Sequence, residues 1–174
     1  MSFYKIKIGQ PKVIKKCWPN VILLTIPPLV FNLIFAASLP TAFSPEIFDK
    51  DIPSIISYGE NIMRTFVFLF PLFMVLKLET QRQKAGLWIY IAGIAIYFAS
   101  WLLLIYAPES AWSASLLGFL APAYTPLIWL CGISMIGDTL CINIPYKWWS
   151  YLIGVVLFLT FHISHVFIVF TQNL

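Results

Sequence analysis

Two pairs of side chains in this chain have the types and spacing to do acid–base or ion-binding chemistry inside apolar surroundings. Glu60 and Arg64 are four residues apart, and His162 and His165 are three apart. On a helix either spacing puts both members on one face. A carboxylate, a guanidinium and two imidazoles together can hold an anion, carry a proton or orient a polar ligand. Imidazole is the side chain best suited to titrate near neutrality. All four residues sit in otherwise apolar runs, where an ionisable group is costly and is read first as a functional candidate.

Their depths agree. The two runs are centred near Phe66 and Leu159. Counting 1.5 Å per residue, Arg64 lies about 3 Å and His162 about 4 Å from the midplane, and Glu60 and His165 both lie about 9 Å from it, all toward the same side. The two runs are therefore expected to be neighbours, with Glu60 pairing Arg64 and accepting from His165. Asn32 falls about 4 Å toward the same side, and Ser100 lies in that half. Thr125 lies in a run interrupted by Pro122 and Pro126 and is placed to answer a carbonyl freed by proline. The candidate ligand-binding set is thus Glu60, Arg64, His162, His165, Asn32, Ser100 and Thr125. A closed polar clamp and a site open to a ligand or proton are both consistent with it. His162 and His165 could together ligate a metal or haem, with Glu60 joining. Arg64 beside them would repel a cation, so no metal or other cofactor is expected.

The elements that must position these groups follow from composition. Of 174 residues, 60% are hydrophobic and 10% charged. A soluble domain carries roughly 25% charged residues to cover its surface, so lipid must be most of this chain's solvent. Five apolar runs, at 18–39, 55–76, 86–106, 114–136 and 148–170, are each near the 20 residues that cross about 30 Å of hydrocarbon. Strict alternation of the β-barrel kind is absent. The expected fold is an all-α integral membrane protein, a single domain of five transmembrane helices. Nine Lys and Arg fall in the segments before the first run, between the second and third, and between the fourth and fifth; only Lys50 falls on the opposite side. Positive residues collect in the cytoplasm, so the N-terminus is expected inside and the C-terminus outside, in the plasma (cell inner) membrane. Trp18, Trp88, Trp112, Trp148 and Trp149 flank the runs as interface anchors.

Other features read as structural. The first run is longer than a signal-peptide core of roughly 7–15 residues and is expected to be retained. Cys17, Cys131 and Cys141 match no metal or redox spacing and are expected as free thiols, Cys17 and Cys141 on the cytoplasmic side. Pro27, Pro28, Pro71, Pro122 and Pro126 should kink their helices. Ala114, Gly118 and Pro122 form a small-residue stripe for helix packing, and Gly93, Tyr97, Ser100 and Trp101 a polar face on the third run. Residues 40–54 read as a polar loop, and Asp138 as a solvated loop charge.

The net charge of +4 is dispersed in short flanking segments, which excludes a nucleic-acid surface. The chain has no phosphate loop, nucleophile elbow, Cys-x-x-Cys or His-Glu-x-x-His, so catalysis is not expected. The function expected is binding or transport of a small molecule, anions included, or a proton through a polar site in the outer half of the bundle. The alternatives are a non-catalytic membrane subunit or assembly factor, and a membrane enzyme or haem- or metal-binding protein. Expected partners are lipids, a small-molecule ligand, and a second copy or another membrane protein.

Overall fold

The structure, a computed structural model, describes residues 18–172. It is all-helical, with no strand among the described residues. α1 (Ile26–Phe35) continues 3-10 turns at both ends, giving an apolar rod over Val21–Ser38. A short α2 (Pro45–Phe48) leads to α3 (Ser54–Leu69), which tightens into a 3-10 turn at Phe70–Phe73. α4 is Gln81–Tyr106. Then come α5 (Leu116–Phe119), α6 (Ala121–Tyr124), α7 (Pro126–Ile136) and α8 (Trp148–Gln172). Three helices, Val21–Ser38, Gln81–Tyr106 and Trp148–Gln172, are long and apolar enough to cross a membrane, and Ala121–Ile136 is a shorter apolar helix.

Local sequence sets these boundaries. α4 starts earlier than its apolar run because Thr80 and Gln83 form a reciprocal capping box, which satisfies two orphan N–H groups. The fourth run comes out in three pieces because Pro122 and Pro126 lack the N–H that would join them, although Leu120 and Thr125 both keep right-handed helical angles. Prolines also free carbonyls four residues upstream, and two tyrosines from other helices answer them. Tyr151 Oη donates to the Val67 carbonyl at 2.8 Å, opposite Pro71, and Tyr90 Oη donates to the Leu24 carbonyl at 2.9 Å, opposite Pro28.

The surface is apolar outward. Leu33 is 79% and Ile55 76% exposed, while Glu60, Gln83 and His165 are buried. The core lies between α3, α4, α7 and α8, around Val67, Trp129, Ile133, Tyr151 and Val155. α4 and α7 approach through glycine. A Cβ on Gly93 would lie 2.5 Å from the Trp129 nitrogen, and one on Gly132 would lie 2.6 Å from the Tyr90 nitrogen. This close contact was expected at Ala114, Gly118 and Pro122. Instead Gly118 packs on its own turn, where a Cβ would meet the Trp112 carbonyl.

At the lysine-rich end, three extended segments pair: Met74 and Leu76 bond to Val21 and Pro19 on one side, and Phe73 and Val75 to Cys141 and Thr139 on the other. Two expectations are corrected here. Asp138 is not a solvated charge: it accepts from Arg82 at 2.5 Å and from Gln83 at 3.0 Å, and its side chain is only 12% exposed. Burial, and then the Asp138 charge, push the Tyr146 hydroxyl pKa up. Cys141 is disulfide-bonded rather than free, and Cys131 is free. Cys17 lies outside the described residues.

Candidate ligand-binding site

α3 and α8 lie against each other, with Gly59 against the Phe161 ring and Gly154 against Phe66. That contact puts Glu60, Arg64, His162 and His165 in one cluster. Glu60 is 1% exposed and is its centre. Oε1 accepts from Arg64 Nη2 and lies 2.9 Å from His162 Nδ1. Oε2 lies 2.6 Å from His165 Nδ1. The far nitrogen of His165, Nε2, is 2.9 Å from the Phe48 carbonyl.

These partners constrain where the protons of the cluster lie. A carbonyl only accepts, so His165 Nε2 carries a hydrogen. The 2.6 Å contact between His165 Nδ1 and Glu60 Oε2 holds one further proton, since two bare lone pairs would repel. Whichever atom carries it, the imidazole and carboxyl sum to zero charge. His162 Nδ1 faces Oε1 as its donor, and in the neutral ring Nε2 then keeps its lone pair; no hydrogen-bond partner for Nε2 occurs among the described residues. With His162 neutral, the cluster carries a single positive charge, that of Arg64. Asp49 Oδ1 is 3.9 Å from His165 Nε2 but its side chain is 70% exposed, where solvent and salt screen it.

Three spaces adjoin the cluster, the smallest a void of about 70 Å³ among Phe43, Phe48 and Phe119 that His162 also lines. A cleft of about 300 Å³ is lined by Arg64 and His162, by Asn32 and Tyr97, and by Trp101 and Trp129 among its aromatic wall. Pro28, Pro122 and Pro126 also line it, so three of the proline breaks face one space. On the other side, a pocket of about 180 Å³ under residues 43–49 is lined by Glu60, His165, Asn61 and Arg64. Arg64 borders both the cleft and this pocket, with its side chain 45% exposed.

The other candidates divide. Asn32 lines the cleft and accepts from Tyr97 Oη at 2.8 Å. Ser100 is buried and donates to its own helix, at the Tyr97 carbonyl. Thr125 donates to the Ala121 carbonyl, which already accepts from the Thr125 N–H; that carbonyl is not the one Pro126 frees, so this part of the expectation is corrected. Residues 40–54 are not simply polar. Phe48 stacks on His165 with ring centroids 4.2 Å apart, and Phe43 packs on Trp101 and Phe119. The two phenylalanines cap the cluster, and Phe43 and Phe48, large apolar residues within a loop that also carries Glu46, Asp49 and Asp51, were the available signal. The indole nitrogens of Trp101 and Trp129 are buried without an acceptor; that of Trp101 lies toward the Tyr97 hydroxyl without reaching hydrogen-bond geometry. Among the described residues no group of three or more His, Cys, Asp or Glu is arranged to hold a metal. Both imidazoles turn Nδ1 to Glu60 rather than to a common point.

Comparison with protein families, with curated proteins and with solved structures finds no match.

Proposed function

We propose that this chain crosses the membrane five times with its N-terminus cytoplasmic, and binds or carries a small anionic molecule in the Arg64–His162 cleft. α3 with its 3-10 extension rises about 32 Å, at 1.5 and then 2.0 Å per residue. The chain from Leu116 to Ile136 rises about 31 Å. Both lengths suit a hydrocarbon core of about 30 Å, which supports two crossings beyond the three long helices. The plasma membrane is the proposed location, on the basic-residue asymmetry.

The observation that carries the ligand reading is the placement of Arg64. It is the cluster's one net charge, and it borders a cleft with room for roughly ten water-sized groups at about 30 Å³ each. Aromatic and proline walls suit an apolar tail, and the guanidinium suits a carboxylate. Cations are disfavoured there by the same charge.

Hexanoate is a suitable probe. Binding to the purified protein in detergent is expected for the wild type. Arg64→Gln should weaken it roughly ten- to hundredfold, the loss of a charged hydrogen bond of about 1.5–3 kcal/mol. A second reading, a structural clamp between α3 and α8, is favoured by the full use of both Glu60 oxygens. It prevails if hexanoate never binds and cluster substitutions change stability alone.

A further inference from the structure

We infer that the anion enters the cleft together with one proton, which His162 Nε2 takes up, so that the ligand class is a weak carboxylic acid. This rests on the anion-site reading above. His162 is the imidazole on the cleft wall, and it stands beside Arg64. Its Nδ1 donates to Glu60 at 2.9 Å, its ring stacks on Phe158 with planes 9° apart, and its side chain is 21% exposed. With Nδ1 so engaged, a neutral His162 presents a lone pair at Nε2, while Arg64 on the same wall presents N–H groups.

A head group that touches both must accept from Arg64 and donate to His162. A carboxylate does the first and fails the second, because its oxygen would meet the Nε2 lone pair. A proton between the two atoms removes that repulsion. The balance is simple. Carboxylate arrives from solution, a buffer acid gives up one proton, and that proton forms the Nε2–H bond; no other bond is made or broken. The site keeps its single positive charge, because the added anion and proton cancel.

The charged and titratable groups facing His162 are compatible with this. Glu60 and Arg64 face it from α3, and His165 lies one turn along α8 on the same carboxylate. Tyr97 lines the cleft from α4, already bonded to Asn32. Asp49 stands beyond His165, from the loop. Glu60 and His165 are engaged with each other through their shared proton, and His165 with the Phe48 carbonyl, leaving His162 Nε2 as the imidazole nitrogen without a partner.

The test is calorimetric titration of hexanoate into the purified full-length protein, at mildly alkaline pH, in phosphate and in Tris. The two buffers differ in ionisation enthalpy, so the difference in apparent binding heat counts protons taken up. The expected count is about one. His162→Asn keeps a donor to Glu60 and removes the Nε2 acceptor; it should still bind hexanoate, more weakly, with a count near zero. His162→Gln serves the same purpose if the Asn variant does not fold. A wild-type count of zero with hexanoate bound would overturn the proposal and leave the anion site standing. So would a count of one that persists in the His162 variant, which would put the proton elsewhere. Failure of hexanoate to bind the folded wild type would overturn the anion-site reading itself, and this proposal with it.

Discussion

Glu60 spends both carboxylate oxygens on three side chains from two helices. Removing one partner of a buried charged pair strands the others and costs about 3–5 kcal/mol. Glu60→Ala should show a loss of that size in thermal or denaturant unfolding in detergent. Glu60→Gln should lose far less. Its amide oxygen can still accept from Arg64 and His162, and its NH₂ can donate to a neutral His165, reproducing the state in which the shared proton sits on Glu60. If Gln is as damaging as Ala, the carboxylate charge itself is required and the shared proton sits on His165 rather than on Glu60. The four members of this cluster were legible because polar pairs at helical spacing stand out in apolar sequence. Ser100 and Thr125 were not separable from them: both were at plausible depth, but each bonds its own helix, and a hydroxyl that back-bonds locally looks the same in sequence as one that reaches across.

At the scale of elements, prolines and tyrosines act in pairs. Tyr151 bonds the carbonyl opposite Pro71, and Tyr90 the carbonyl opposite Pro28. A buried carbonyl left unsatisfied costs about 1–3 kcal/mol, and Tyr151→Phe should destabilise the protein by that amount. In a Pro71→Ala background the restored N–H can reach the Val67 carbonyl, so the same Tyr151→Phe change should cost clearly less. Equal costs in the two backgrounds, measured as a double-mutant cycle, would show that Tyr151 does not act by replacing the missing bond. The kinks were legible from proline positions. Their partners were not, because tyrosine is common at membrane interfaces and nothing local marks which one reaches inward. The α4–α7 contact was missed for a related reason. Gly86, Gly93 and Gly132 are widely spaced, so no short-range stripe announces them, whereas the regular Ala114–Gly118–Pro122 spacing pointed to a turn that packs on itself.

For the whole molecule, two signals at one end oppose each other. Basic residues assign the end holding Lys77, Arg82, Lys84 and Lys147 to the cytoplasm, while a disulfide at Cys141 belongs to oxidising compartments. Single cysteines introduced by Ser44→Cys, Glu79→Cys, Glu109→Cys and Asn143→Cys, with the native cysteines replaced, separate the possibilities. Five crossings with the N-terminus inside give labelling of positions 44 and 109 by an impermeant maleimide on intact cells, and of 79 and 143 only after permeabilisation. The reverse pattern would invert the orientation, and labelling of 79 and 109 from the same side would deny that α4 crosses. That the chain folds into helices apolar enough to cross a membrane was legible from composition alone. The end-to-end direction rested on charge, and the disulfide could not be foreseen from three cysteines without a motif.

The central claim is that Glu60 holds both imidazoles through Nδ1, leaving His162 Nε2 open to the cleft. The chain has only two histidines, so nitrogen-15 labelling of histidine gives a spectrum of these residues alone. Solid-state or solution spectra of the side-chain nitrogens should show His162 protonated at Nδ1 with a bare Nε2, and His165 protonated at Nε2 with a strongly hydrogen-bonded Nδ1. A His162 with its hydrogen on Nε2 and a bare Nδ1 would contradict the account at its centre.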